Sequence, residues 1–141
     1  MLDPVRGVVE FSGRDRELAE LISWCEDAGG PQLRLMMGPG GIGKTRLALQ
    51  LASRLREVGW RTEVVAVDQE AGVLERIRGV TSGRVLLVVD YAETRIGLSA
   101  LLRAAAADQG LALRVLLLAR SAGQWWEQLG AAEAVSVTPE N

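Results

Sequence analysis

Short apolar runs alternate along this chain with longer stretches whose apolar residues recur at helical spacing. The run Leu33–Met37 reads as a first strand and leads into a glycine-rich segment. Over 44–58, apolar residues at 47, 48, 51, 52, 55 and 58 mark one face of a helix, and Gly59 supplies a stop. Residues 60–67 alternate with a period of two and end at Asp68, a second strand, and 73–77 predicts a short helix. The unbroken aliphatic run 85–89 is what a strand covered on both faces requires. Leu98–Ala107 is helical and closed by the turn Asp108-Gln109-Gly110; 113–119 predicts a fourth strand, 124–129 a short helix and 134–137 a fifth strand. This alternation predicts an α/β layer architecture with a parallel sheet flanked by helices. No internal repeat or low-complexity linker divides it.

At 141 residues one domain spanning 1–141 is expected, large enough to bury about two-thirds of its unfolded surface. The net charge of −2 provides no global attraction to nucleic acid or to an anionic membrane. Arg46, Arg54 and Arg56 interleave with the buried face of the 44–58 helix and read as its solvated side rather than a nucleic-acid surface. Cys25 is the only cysteine and there is no histidine, so an intramolecular disulfide, zinc sites and His-dependent triads are excluded on ligand supply. Cys25, Trp24 and Trp60 read as packing residues, as does at least one of Trp125 and Trp126. The N-terminus lacks an apolar signal-peptide core and the aliphatic runs are strand-length, so a cytoplasmic protein without a membrane span is expected.

The chemistry begins at Gly38-Pro39-Gly40-Gly41-Ile42-Gly43-Lys44-Thr45, which fills the pattern G-x-x-x-x-G-K-[ST]. Lys44 is the only lysine among many arginines. A compact ammonium on a flexible stem follows a β/γ-phosphate, whereas a planar guanidinium demands another loop. The glycines let main-chain N–H groups turn around phosphate oxygens, and the Thr45 hydroxyl suits Mg²⁺. A nucleoside triphosphate is the implied ligand. The 44–58 helix starts at this loop, so its unpaired N–H groups and dipole would face the anion.

Gly38, Asp90 and Arg120 each follow an apolar strand directly. In a parallel sheet the strands' carboxyl ends share one edge, where ligands bind. There Asp90 would hold Mg²⁺ with Thr45, and Arg120 would reach the γ-phosphate and stabilise charge developing during transfer. Glu93 is placed either to activate water or as an acidic residue at a helix start.

The segment Phe11-Ser12-Gly13-Arg14-Asp15-Arg16-Glu17-Leu18, the loop continued as Thr45-Arg46-Leu47, the stretch Leu86-Leu87-Val88-Val89-Asp90-Tyr91-Ala92-Glu93, and Leu116-Leu117-Leu118-Ala119-Arg120-Ser121 occur in this order. Together they resemble the signal-transduction ATPases with numerous domains (STAND), relatives of AAA+ ATPases that include the NACHT and NB-ARC groups. The resemblance covers nearly the whole chain. It implies a P-loop NTPase core of five parallel strands in the order 5-1-4-3-2, ATP as ligand, Gly13 and Arg14 near the adenine, and Arg120 as the sensor facing the γ-phosphate. It also implies a regulatory switch with protein partners or further domains, and with nucleotide-dependent oligomerisation. Three positions depart from the pattern. Tyr91 stands where many relatives place a catalytic glutamate, which leaves hydrolysis resting on Glu93. Leu118 and Ala119 replace threonines that often precede the sensor arginine. The chain ends at Thr138-Pro139-Glu140-Asn141, about where the family's helical lid would begin, so an excised core or a lid supplied from elsewhere is expected.

A guanine-reading Asn/Thr-Lys-x-Asp motif cannot exist, since the only Lys is Lys44 and the only Asn is Asn141. Two other readings stay open beside a weak ATPase switch. One is a small-molecule kinase, although 91–112 shows no arginine-rich lid. The other is a non-hydrolysing module whose bound nucleotide organises a docking surface.

Overall fold

The computed structural model describes the backbone of residues 5–29, 32–37, 42–79, 83–108, 112–120, 124–125 and 136–139. Side chains are described for 15–29, 32–37, 43–79, 83–108, 112–120 and 124–125. Helix α1 (Val5–Glu26) precedes strand β1 (Leu33–Met37), and α2 (Ile42–Glu57), β2 (Arg61–Val64), α3 (Val73–Arg78) and β3 (Arg84–Val89) follow. A 3₁₀ turn at Ala92–Thr94 then leads to α4 (Leu98–Ala107), β4 (Ala112–Ala119) and β5 (Ser136–Pro139). The strands form one sheet in the order β2-β3-β4-β1-β5, which is 5-1-4-3-2 read from the other edge, and every neighbouring pair is parallel.

The period-two alternation of the strands sorts their side chains onto two faces. Leu33, Leu35, Val85, Leu87, Val89, Leu113, Val115 and Leu117 pack with residues of α3 and α4. Met36, Leu86, Val88, Leu116 and Leu118 pack on the other face with Leu18, Leu21, Trp24 and Cys25 of α1 and with Leu47, Leu51 and Leu55 of α2. Three layers result, with β3 and β4 covered on both sides, as their unbroken aliphatic runs require. Trp24 and Trp60 are core residues, each with an arginine over its ring, Arg34 and Arg84 respectively. Burial pushes the Cys25 thiol up to about 12, with the Arg114 charge opposing, so it stays neutral packing material. Arg114 of β4 donates to the carbonyls of Trp24 and Asp27, which closes the C-terminus of α1 onto the sheet.

Three expectations need correcting. Val58 belongs to the apolar series by spacing, yet it is exposed. Helix α2 stops one residue too early for it to face the core. The Gly59 N–H donates to the Arg56 carbonyl, the Trp60 N–H reaches back to the Leu55 carbonyl, and Gly59 takes φ 99. This is the left-handed glycine cap in which the residue after the glycine packs back on the last turn. Strand β2 is four residues long rather than spanning 60–67. It lies at the sheet edge with β3 as its one partner. After the Val65 N–H donates to the Val88 carbonyl at 2.9 Å, the chain turns through Asp68 at φ 69 and leaves Val67 exposed. Strand β5 runs two residues later than the expected 134–137. Of the expected helix 124–129, Gln124 and Trp125 are helical; Trp126 and the remainder lie outside the described residues.

Candidate functional site

Strand register brings three distant segments to one edge. Met37 at the end of β1 pairs with Ala119 at the end of β4, and Val89 of β3 pairs with Leu117 of β4. Asp90 after β3 and Arg120 after β4 therefore stand at one edge of the sheet, beside the end of β1. A cavity of about 300 Å³ lies there, lined by Lys44 and Thr45 of α2, Asp90 and Tyr91 after β3, Leu118 and Ala119 of β4, and Arg120 after it. The first turn of α2 thus meets the cavity, and a helix N-terminus directs its main-chain N–H groups outward along the axis. That turn holds Lys44 and no acidic residue, which runs against the helix dipole unless an anion sits in front of it.

Thr45 Oγ1 lies 3.5 Å from Asp90 Oδ2, at the long limit of a hydrogen bond. These are two hard oxygen donors side by side. No cluster of three metal-ligating His, Cys, Asp or Glu side chains occurs among the described residues. A single carboxylate with a hydroxyl is the donor count that suits Mg²⁺ arriving with its phosphates, because Mg²⁺ keeps several non-protein oxygens. The residues present fit that group.

Asp90 is held in an unusual turn. Its Oδ1 accepts the Tyr91 N–H at 2.9 Å, and Tyr91 sits in the left-handed region at φ 53, ψ 47. Behind the turn, Arg95 reaches the Asp90 carbonyl and forms a 2.7 Å pair with Glu70 in which the two side chains are 6% and 5% exposed. Burial alone would raise the Glu70 carboxyl, but the Arg95 hydrogen bond, main-chain donors and the Arg95 charge hold it below its ordinary 4.5. A depressed folded-state value means that the unfolded chain binds more protons through this window, so stability rises with pH there. Glu70 contributes fully above 4.5, and the contribution is lost as pH falls below it toward the folded-state value. In urea unfolding, wild type should exceed Glu70→Gln by a constant margin near neutrality that shrinks below that pH. A margin that persists undiminished in acid would contradict the linkage.

The structure gathers Lys44, Thr45, Asp90 and Arg120 of the expected site residues around one cavity. Arg46 is exposed on α2, and neither it nor half-buried Gly43 is among the described residues lining the cavity. Ile42 begins α2, and Gly13 and Arg14 lie on the backbone of α1, with side chains outside the described set; Gly38, Pro39, Gly40 and Gly41 lie outside the described residues altogether. Glu93 falls in the 3₁₀ turn, absent from the described lining, and its Oε1 is buried with no hydrogen-bond partner. The Arg95–Glu70 pair escaped sequence reasoning. Neither residue sits at a strand end or in a motif, and an arginine and a glutamate 25 positions apart carry no local signal.

A three-layer parallel sheet with these groups at its carboxyl edge has the architecture of an α/β NTPase-like domain. The family model described as Novel STAND NTPase 5 matches residues 8–132, and the chain belongs to that family. Membership suggests a nucleotide-binding, NTPase-like role. No curated protein matches the chain. Among the described residues no helix is long and apolar enough to cross a membrane.

Proposed function

We propose that this chain is a single nucleotide-binding domain that captures ATP with Mg²⁺ and serves as a slow, conditional ATPase switch within a larger regulatory protein. The observation that carries this reading is the convergence of Lys44, Thr45, Asp90 and Arg120 on one cavity at the sheet edge. In this reading the loop 38–45 and the α2 N-terminus bind the phosphates, and Lys44 neutralises the β/γ oxygens. Thr45 and Asp90 hold Mg²⁺, which would draw charge from the phosphate oxygens when bound. Arg120 meets the γ-phosphate, so its contact distinguishes ATP from ADP. Calorimetric titration with ATP and Mg²⁺ tests the reading, and folded protein that shows no saturable heat would end it.

One observation favours the non-hydrolysing alternative. The Glu93 carboxylate has an oxygen that is buried, unpartnered and away from the described cavity lining. An unpaired buried oxygen costs about 1–3 kcal/mol, yet the turn that holds Glu93 is tied by hydrogen bonds of Thr94 and Arg95, which moving Glu93 to the cavity would have to break. If Glu93 is the base, Glu93→Gln retains ATP binding and lowers single-turnover hydrolysis by about 100-fold or more. Hydrolysis at the wild-type rate would remove Glu93 from the mechanism, and the absence of turnover in wild type would select the docking-module reading.

A further inference from the structure

We propose that Arg95 is a positioning residue for Asp90: together with Glu70 it fixes the turn 90–95 so that the Asp90 carboxylate faces Thr45, and so it sets how strongly Mg²⁺ tightens nucleotide binding. The second half of this statement rests on the reading of Thr45 and Asp90 as the magnesium-holding pair.

Arg95 uses all three guanidinium nitrogens. Nε donates to the Asp90 carbonyl at 3.1 Å. Nη1 donates to the Ala66 carbonyl at 3.1 Å and to Glu70 Oε2 at 2.7 Å, and Nη2 donates to the Val65 carbonyl at 2.7 Å. Val65, Ala66 and Glu70 lie on the segment after β2, while Asp90 is the residue after β3. The guanidinium therefore joins the carboxyl ends of two adjacent strands, on the edge that carries the cavity. Exposed pairs such as Arg76–Glu63 involve no comparable burial of the arginine. A buried ion pair is poor ground for stability alone, because apolar residues of similar volume often serve as well. What it provides here is a fixed point for the Asp90 main chain.

The other end of Asp90 is fixed too. Its Oδ1 accepts the Tyr91 N–H, an arrangement that accompanies the left-handed Tyr91 backbone. A bulky residue persists in that conformation only when its surroundings hold it. The Arg95 N–H to the Ala92 carbonyl and Thr94 Oγ1 to the Tyr91 carbonyl close the same turn. With Oδ1 engaged by the amide, Oδ2 is the oxygen near Thr45. Glu70 is confined from behind by Gly97, where an added Cβ would lie 3.1 Å from the Glu70 Cβ. The carboxylate that orients Arg95 has little room to move.

The test compares wild type with Arg95→Lys, which keeps the charge but loses the planar fork. Affinity for a fluorescent ATP analogue is measured with Mg²⁺ and with Mg²⁺ removed by chelator, and hydrogen exchange of the Tyr91 amide is followed without nucleotide. In Arg95→Lys the magnesium-dependent gain in affinity should fall by about 10-fold, the scale for groups that orient a metal ligand. The chelated affinity should stay within about twofold, and Tyr91 exchange should quicken. If Arg95→Lys does not fold, Glu70→Gln serves, with the same pattern at smaller amplitude. An unchanged magnesium gain with unchanged Tyr91 exchange in folded variant overturns the proposal, as does an equal loss of affinity with and without Mg²⁺. A wild type that binds nucleotide regardless of magnesium would sink the metal reading itself, while faster Tyr91 exchange in the variant would still uphold Arg95 as the anchor of the turn.

Discussion

Lys44→Ala should weaken binding of ATP with Mg²⁺ by at least about 100-fold. Hydrogen bonds between charged groups contribute about 1.5–3 kcal/mol each, and an ammonium facing two phosphates makes more than one. Lys44 is half-buried in the first turn of α2, at the cavity. Its removal should leave the nucleotide-free fold intact. Alanine is the better helix former, and taking a cation from a helix N-terminus relieves an unfavourable dipole contact of about 0.3–1 kcal/mol. Calorimetry gives the affinity, and urea unfolding without nucleotide gives the stability. Undiminished affinity would separate Lys44 from the phosphates, whereas unfolding of the variant without nucleotide would reveal a structural duty.

The largest effect on stability should come from Leu117→Ala. Strand β4 lies inside the sheet between β3 and β1, and Leu117 is 0% exposed among α3, α4 and their strands. Truncation there removes apolar contacts and leaves a cavity that the paired backbone cannot collapse to fill, at a cost of about 3–4 kcal/mol. Domains of this size have about 5–15 kcal/mol in total, so the urea midpoint should fall steeply. Ile96→Ala provides the contrast, since Ile96 is 96% exposed and its loss should change stability by less than about 0.5 kcal/mol. A difference below about 1 kcal/mol between the two variants would mean that this face of the sheet is packed more loosely than its burial implies.

Much of the element plan is legible in the amino-acid order. Strand β1 and helix α4 begin and end where their patterns predict, and β3 and β4 each start one residue earlier. Those segments are long apolar runs or strongly periodic helices, in which burial on one or both faces dominates residue choice. The parallel layers follow from the alternation, and parallel layers place Asp90 and Arg120 at one edge. Where the pattern misled, a local feature outranked periodicity: the glycine cap turned Val58 outward, and the sheet edge freed the residues after β2 from alternation.

By itself, the amino-acid order determined which segments are strands and helices and which polar groups stand at strand ends, because both depend on neighbours a few residues away. Only the tertiary structure decided that Arg95 and Glu70 are sealed together, that Tyr91 takes a left-handed turn and that a Glu93 oxygen is left without a partner. Those outcomes arise when the parallel pairing of β2 with β3 sets two otherwise unrelated turns side by side. No spacing rule connects such turns, since the contact exists only once the sheet has formed.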